Sequence, residues 1–166
     1  MHYDPVAEAI VTAPSSVIDL PERDRRMYWL LRGSPGWAGA HEARYGGDPE
    51  DNGVATVRAV RFDTARYAER AFARLTPEYL HLALRDRMAS PPEPFTYPEP
   101  LPGDQTIVYL YGVRLSPPYA LETQLLGQLT AMRVGSAVVV VESIGVEPER
   151  LVPTFGRLAR AAADTR

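Results

Sequence analysis

Two stretches of this chain have the pattern of a β-strand that leads directly into an amphipathic helix. The first is Val54–Phe62 followed by Asp63–Leu75, and the second is Ala137–Ile144 followed by Glu147–Ala163. In both helices, apolar residues recur at spacings of three and four, which places them on one helical face. Those residues are Ala65, Ala68, Phe72, Leu75, Val152, Phe155, Leu158 and Ala162. The pattern predicts that both helices pack against a common β-layer.

The remaining strand signals complete a sheet. Gly36–Tyr45 alternates in polarity and forms a predicted β-hairpin with the strand that ends at Phe62. Thr106–Val113 and Leu121–Val134 are also strand-like, and Gly127 within the second predicts a bulge or bend. We therefore expect an α+β fold with one antiparallel sheet of about five strands and helices packed mainly on one face.

Two turn signals and one proline-rich stretch divide these elements. Gly135 and Ser136 predict a two-residue hairpin turn, because glycine adopts the backbone conformation that such a turn needs. Thr76 followed by Pro77 predicts that the first helix breaks and restarts there. Ser90–Asp104 contains six prolines and is predicted to be an extended connection that is neither helix nor central strand.

The length of 166 residues suits a single domain, residues 1–166. Within it, residues 1–33 are predicted to form an N-terminal helical arm, with one helix that starts at Asp4 and Pro5 and a second that starts at Asp19 and ends near Gly33. Residues 36–166 are expected to hold the sheet and its covering helices.

Composition excludes several classes of function. The net charge of −3 gives no electrostatic reason to expect nucleic acid as a partner. The chain has no cysteine and no lysine, which excludes disulfides, thiolate metal sites and lysine chemistry. No apolar run approaches the ~20 residues that span a bilayer, and the N-terminus lacks a signal-peptide pattern. We expect an extracytoplasmic location if a leader has been removed, and a cytoplasmic one otherwise.

Motifs for metals, cofactors and catalysis are missing from the sequence. The acidic turn Asp48–Gly53 resembles the first half of a calcium loop, but Ala59 stands where the twelfth-position glutamate is needed, so a solvated hairpin tip is favoured. The three histidines lack zinc-ligand spacing. His41 could act as a general base, although a structural role in a strand is favoured. We predict no metal, no cofactor and no catalytic residue.

A set of aromatic residues supplies the weak candidates for ligand binding. They either line an apolar cleft beneath the proline-rich stretch, together with Phe95 and Tyr97, or form core sealed by that stretch, and core is favoured. The candidate ligand-binding residues, with the histidine among them, are Trp37, His41, Tyr45, Tyr109 and Tyr111.

Three segments resemble certain bacterial exported lipoprotein and sensor-like domains. They are Arg61–Phe72, Leu101–Asp104 before a strand, and Met132–Val139 before the closing helix. These domains are similar in layout to PsbP-like and extracellular kinase-sensor folds, in which helices cover an antiparallel sheet. The resemblance spans residues 36–166 and implies no catalytic motif. The chain departs from these domains because it lacks a visible leader and a lipobox cysteine.

Together these observations predict a non-enzymatic ligand- or protein-binding accessory domain, extracytoplasmic if a leader has been removed, whose partner is an unknown protein or a small apolar ligand. One alternative is a ferredoxin-like dimeric α/β-barrel, an enzyme or binder for a small apolar molecule, with Trp37, His41 and Tyr109 in its pocket. A second alternative is a structural subunit of a larger assembly that docks through residues 1–33.

Overall fold

The structure is a computed structural model that describes residues 4–11, 31, 34–46, 54–85, 88–114, 126–145 and 152–164. The strands of this part are β1 Asp4–Val11, β2 Trp37–Gly46, β3 Val54–Phe62, β4 Glu93–Pro94, β5 Gln105–Gly112, β6 Leu126–Val134 and β7 Ala137–Ile144. The helices are α1 Ala65–Ala73, α2 Pro77–Ala83 and α3 Val152–Asp164.

The described strands form one sheet in the order β1-β2-β3-β7-β6-β5-β4. Every neighbouring pair is antiparallel. The α+β class and the antiparallel sheet are therefore confirmed, although this sheet has seven strands where about five were expected. The two additional strands are β1 and the two-residue β4, which lie at opposite edges of the sheet.

The sheet does not have ferredoxin-like topology. That topology contains a split β-α-β unit, in which two strands run parallel in the sheet. Here β3 pairs antiparallel with β7, and the described elements between them along the chain are α1, α2, β4, β5 and β6. The ferredoxin-like alternative is therefore wrong for this sheet.

The N-terminal segment differs from the sequence prediction. Asp4–Val11 forms an edge strand paired with β2, where a helix was expected. The predicted cap at Asp4 and Pro5 is worth only about 1 kcal/mol, whereas the edge of β2 offers a full row of hydrogen-bonding groups. A register shift between Pro5 and Ala7 accommodates the proline, which has no N–H to donate. The predicted second helix of the arm lies almost entirely outside the described residues.

Helices cover both faces of the sheet, and two of the three described helices share one face. That first face packs α1 and α2 against Val60, Leu129 and Val140. On the opposite face, Phe155 of α3 packs against inward residues of the central strands. Those residues are Val57, Met132, Val139 and Val141. Both amphipathic helices therefore lie against a common sheet, and β7 is buried on both sides.

Local chemistry explains where α1 and α2 begin. The Thr64 hydroxyl accepts a hydrogen bond from the Tyr67 N–H at 3.3 Å, and the Thr76 hydroxyl does the same for Tyr79 at 3.3 Å. Pro77 occupies the first turn of α2, where its missing N–H has no cost. The predicted break between the two helices is confirmed. At this break, the main-chain carbonyl of Leu75 accepts a hydrogen bond from a side chain of β5.

The two glycines highlighted in the sequence have different outcomes. Gly135 has a φ of +57° and starts the hairpin turn between β6 and β7, as predicted. The bulge predicted at Gly127 is wrong, because β5 and β6 pair through it without a register shift. Instead, the ring of Tyr111 lies directly over Gly127, and a Cβ atom there would overlap the ring.

Replacing Gly127 by alanine tests this contact. Because Tyr111 is buried and its hydroxyl donates to Glu142, we expect Gly127→Ala to lower the free energy of unfolding by about 1–3 kcal/mol. Urea unfolding followed by circular dichroism measures the loss. Gly39→Ala is the matched control, since a Cβ atom at that strand position meets nothing within 4 Å. Equal stability of the two variants would contradict the account.

Candidate functional site

The β4–β5 hairpin opens into a loop at one edge of the sheet. β4 pairs with β5 only through Glu93 with Leu110 and Pro94 with Tyr109. One further hydrogen bond, from the Phe95 N–H to the Val108 carbonyl at 2.9 Å, closes the paired region. Beyond it, the two arms separate.

The arm that follows β4 leaves the ladder after Phe95. In an antiparallel ladder the donors toward the partner strand come from alternate residues, so the next donor after Phe95 would be Tyr97. Tyr97 instead packs its ring against Phe155 and bonds to Gln128. The prolines that follow, at positions 98, 100 and 102, are out of phase with these donors, and their fixed φ keeps the segment extended. The hairpin therefore opens into a long loop.

The far end of the loop is anchored back to the sheet. The Thr106 hydroxyl donates to the Pro102 carbonyl at 2.8 Å. The Asp104 N–H donates to the Arg133 carbonyl at 2.8 Å, and the Asp104 carboxylate accepts from Arg133 Nη1 at 3.1 Å. Asp104 also accepts a hydrogen bond from the Gly135 N–H at 2.8 Å. The loop is therefore held at both ends while its middle stays open.

The open space, which we call the loop groove, has a volume of about 320 Å³. This is at the lower end of the range for small-molecule sites. Its lining is mostly apolar and consists of Pro94, Phe95, Thr96, Tyr97, Glu99, Pro100, Leu101, Thr106, Ile107, Val108 and Tyr109. Four consecutive residues of β5 line it, although neighbouring side chains point to opposite faces. The groove therefore follows the edge of β5, and Glu99 is its one charged lining residue.

Aromatic packing fixes one wall of the loop groove. The Phe95 and Tyr97 rings meet edge to face with centroids 5.1 Å apart, and Tyr97 meets Phe155 of α3 at 6.2 Å. The Tyr97 hydroxyl contacts the Gln128 amide at 2.8 Å, and Gln128 also donates to the Thr130 hydroxyl at 2.8 Å. Tyr97, Gln128 and Thr130 are all buried. This wall is therefore tied to both α3 and β6.

Tyr109 fixes the opposite wall. Its side chain is 8% exposed, and its hydroxyl donates to the Leu75 carbonyl at 3.1 Å, where the break between α1 and α2 left that carbonyl available. Burial raises the pKa of the Tyr109 phenol, and the carboxylate of Glu78 raises the pKa further. The helix break on one face of the sheet thus positions a side chain that lines the groove at its edge.

The structure separates the five candidate residues. Tyr109 lines the loop groove. Tyr111 is core, 3% exposed, and Trp37 is half-buried against the core on the face of α1 and α2. His41 and Tyr45 lie in β2 opposite Ala59 and Ala55, and their side chains lie outside the described residues. A ligand-binding role for these residues stays a prediction.

A buried ion pair near the centre of the sheet was missed in the sequence. Arg58 of β3 and Glu142 of β7 are 1% and 4% exposed, with Nη1 and Oε2 3.5 Å apart. The Tyr111 hydroxyl donates to the other Glu142 oxygen at 3.0 Å. One signal was available, since both charges occupy strand positions among apolar neighbours. All three residues are buried, and none of them lines the loop groove.

Among the described residues, no three or more histidine, aspartate and glutamate side chains are grouped so that they could hold a metal ion. Nor is any helix in that part long and apolar enough to cross a membrane.

The fold is similar to the crystal structure of the extracellular domain of PknH from Mycobacterium tuberculosis. The TM-score is 0.52 at 13% sequence identity, and the match covers 99% of this chain and 84% of that chain. At this identity the likeness shows a shared fold alone. No protein-family model and no curated protein matches the sequence. The resemblance to extracytoplasmic bacterial domains agrees with this neighbour, whereas its PsbP-like and lipoprotein parts stay predictions.

Tyr109 gives a pH dependence that can be measured. Its folded-state pKa lies above the unfolded value of 10.0, so its contribution to stability is complete below that value and is lost as the pH rises through the folded-state pKa. We expect Tyr109→Phe to cost about 1 kcal/mol at pH 8 and to reduce the loss of stability as the pH rises above 10.0. Urea unfolding at several pH values tests this, with Tyr67→Phe as the matched control. An unchanged pH slope in Tyr109→Phe would be inconsistent with the assigned burial.

The ion pair between Arg58 and Glu142 predicts that substitutions of the two residues have non-additive effects on the free energy of unfolding. Glu142→Leu alone leaves the Arg58 charge buried without its carboxylate, so we expect a loss of about 3–5 kcal/mol of unfolding free energy. Combining it with Arg58→Met removes both charges, and the double variant should be more stable than Glu142→Leu alone. Chemical denaturation of the variants measures the coupling. Additive losses would show that the two side chains do not interact.

Proposed function

We propose that this chain is a non-enzymatic, extracytoplasmic binding domain that takes a small apolar ligand into the loop groove. The observation that carries the proposal is an apolar space of about 320 Å³ between two walls that are fixed independently. One wall is tied through Tyr97 to Gln128 and Phe155, and the other through Tyr109 to Leu75.

Preorganisation is what makes this space a site. A ligand that enters a groove with fixed walls does not have to order them, which removes part of the entropic cost of binding. The hydrogen bonds of Asp104 and Thr106 hold the base of the loop before any ligand arrives.

The proposed location rests on a separate line of support. The fold neighbour is described as an extracellular domain, and the sequence resembles exported bacterial domains. Binding small molecules outside the cell membrane is consistent with both. The expected binding of a protein partner, with or without residues 1–33, stays an alternative that no contact among the described residues favours.

Nuclear magnetic resonance titration with indole tests the groove as a binding site. We expect saturable shifts in amides of the groove lining, because indole is small, apolar and uncharged. Thr96→Trp should abolish them, since Thr96 is exposed on the groove lining and a tryptophan there fills the space without altering the core.

The control places the same side chain elsewhere. Ala73→Trp adds a tryptophan at an exposed position of α1, away from the groove lining, and should leave the titration unchanged. Shifts that never saturate, or that survive in Thr96→Trp, would contradict a binding site in the loop groove.

A further inference from the structure

We propose that the ligand of the loop groove is an uncharged peptide unit, an N-acylated amino acid amide with an apolar side chain. Its N–H and C=O would pair with the main chain of Thr106 as a residue of a neighbouring strand does. The inference rests on the proposed function, since it names the ligand of the same groove.

The first step is the direction of the Thr106 main chain. Val108 accepts a hydrogen bond from Phe95, so the main-chain groups of Val108 point out of β5 toward the β4 side. In an antiparallel ladder the direction of these groups alternates along the strand. Two residues from Val108, Thr106 must therefore direct its N–H and C=O to the same side. That side is the loop groove, which Thr106 lines.

The second step is that the loop does not pair with these groups. Residues 88–114 are all described, and within them the hydrogen bond from Thr106 to the loop comes from its hydroxyl, which donates to Pro102. Continuation of the β4–β5 register would place Tyr97 opposite Thr106. Tyr97 instead packs its side chain against Gln128 and Phe155, and the β4–β5 ladder ends before it. One donor and one acceptor of a sheet edge are therefore left facing an apolar groove.

The third step is the chemistry that satisfies such an edge. An antiparallel hydrogen-bonded pair exchanges two N–H···O bonds between one residue of each strand. A capped amino acid carries that donor and acceptor in the same relative position. Its side chain would lie on the face of Thr106 and Val108, against the half-buried Phe95 and Leu101. A purely apolar ligand would instead cover the Thr106 groups without pairing them, which is unfavourable.

The charge of the groove lining narrows the chemical class of the ligand further. Glu99 is the one acidic or basic residue of the groove lining. A ligand with a free carboxylate would be repelled by it and would also lose hydration. The proposed ligand therefore has an amide at its carboxyl end and not a free acid.

Titrations of wild-type protein with matched ligands test the proposal without a folding risk. We expect N-acetyl-leucine methylamide to bind with saturable shifts that include the Thr106 amide. Its N-methylated analogue, in which the leucine N–H is replaced by N–CH₃, should bind at least about tenfold more weakly because one edge hydrogen bond is lost. N-acetyl-leucine should also bind more weakly, and Glu99→Gln should reduce that difference.

Two further results decide the interpretation. If a capped pentapeptide with a central leucine binds as well as the single unit, the ligand is part of a polypeptide. If the pentapeptide does not bind, the ligand is a free small molecule. Equal binding of the N-methylated analogue would overturn the inference and leave the groove as an apolar site that takes indole. If neither indole nor the peptide unit binds, the proposed function fails as well.

Discussion

The pairing of β7 with β3 and β6 holds the sheet together. Ala137–Ile144 is almost entirely buried, and its valines alternate between the core under α1 and α2 and the core under α3. Because one strand supplies both cores, neither layer of helices can be built without it. The β3–β7 ladder also joins chain segments about 80 residues apart, which is the largest sequence separation among the described strand pairs. The buried pair of Arg58 and Glu142 lies across that ladder and raises the cost of a wrong register.

The two edges of the sheet end in different ways. At one edge, β1 pairs with β2 despite a proline, through a shift in register. At the other, the β4–β5 ladder ends at Pro94 and Tyr109, and Tyr97 packs against Gln128 and Phe155 instead of continuing along β5. The loop groove follows from that interruption. Its walls are fixed by contacts to the two cores, so the same sheet that stabilises the fold also shapes the site.

Features set by neighbouring residues could be predicted from the sequence. The helix start at Thr76, the turn at Gly135 and the irregular proline-rich stretch follow from local hydrogen bonding and backbone geometry. The amphipathic pattern of the helices, which follow strand-like runs, also predicted the α+β class. The same local signals failed at Asp4–Val11, because pairing with a distant strand outweighed a helix cap.

The site could be only partly predicted from the sequence, because part of it also depends on pairing between distant strands. The aromatic pattern identified Tyr109, and the prolines marked the segment above it, so both walls had a signal. The roles of Thr106 and Glu99 depend on the register of β4 against β5, which no periodicity in the sequence reveals. The contact of Tyr111 with Gly127 and the Arg58–Glu142 pair are likewise products of register between strands.

Amide hydrogen exchange of the ligand-free protein tests most directly whether the hairpin stays open at Thr106. Phe95 donates to Val108, so its amide should exchange slowly. The Thr106 amide faces the groove without a main-chain partner in the loop, so it should exchange much faster than that of Phe95. Comparable protection of the two amides would mean that the hairpin closes through Thr106, and the account of the groove would be wrong.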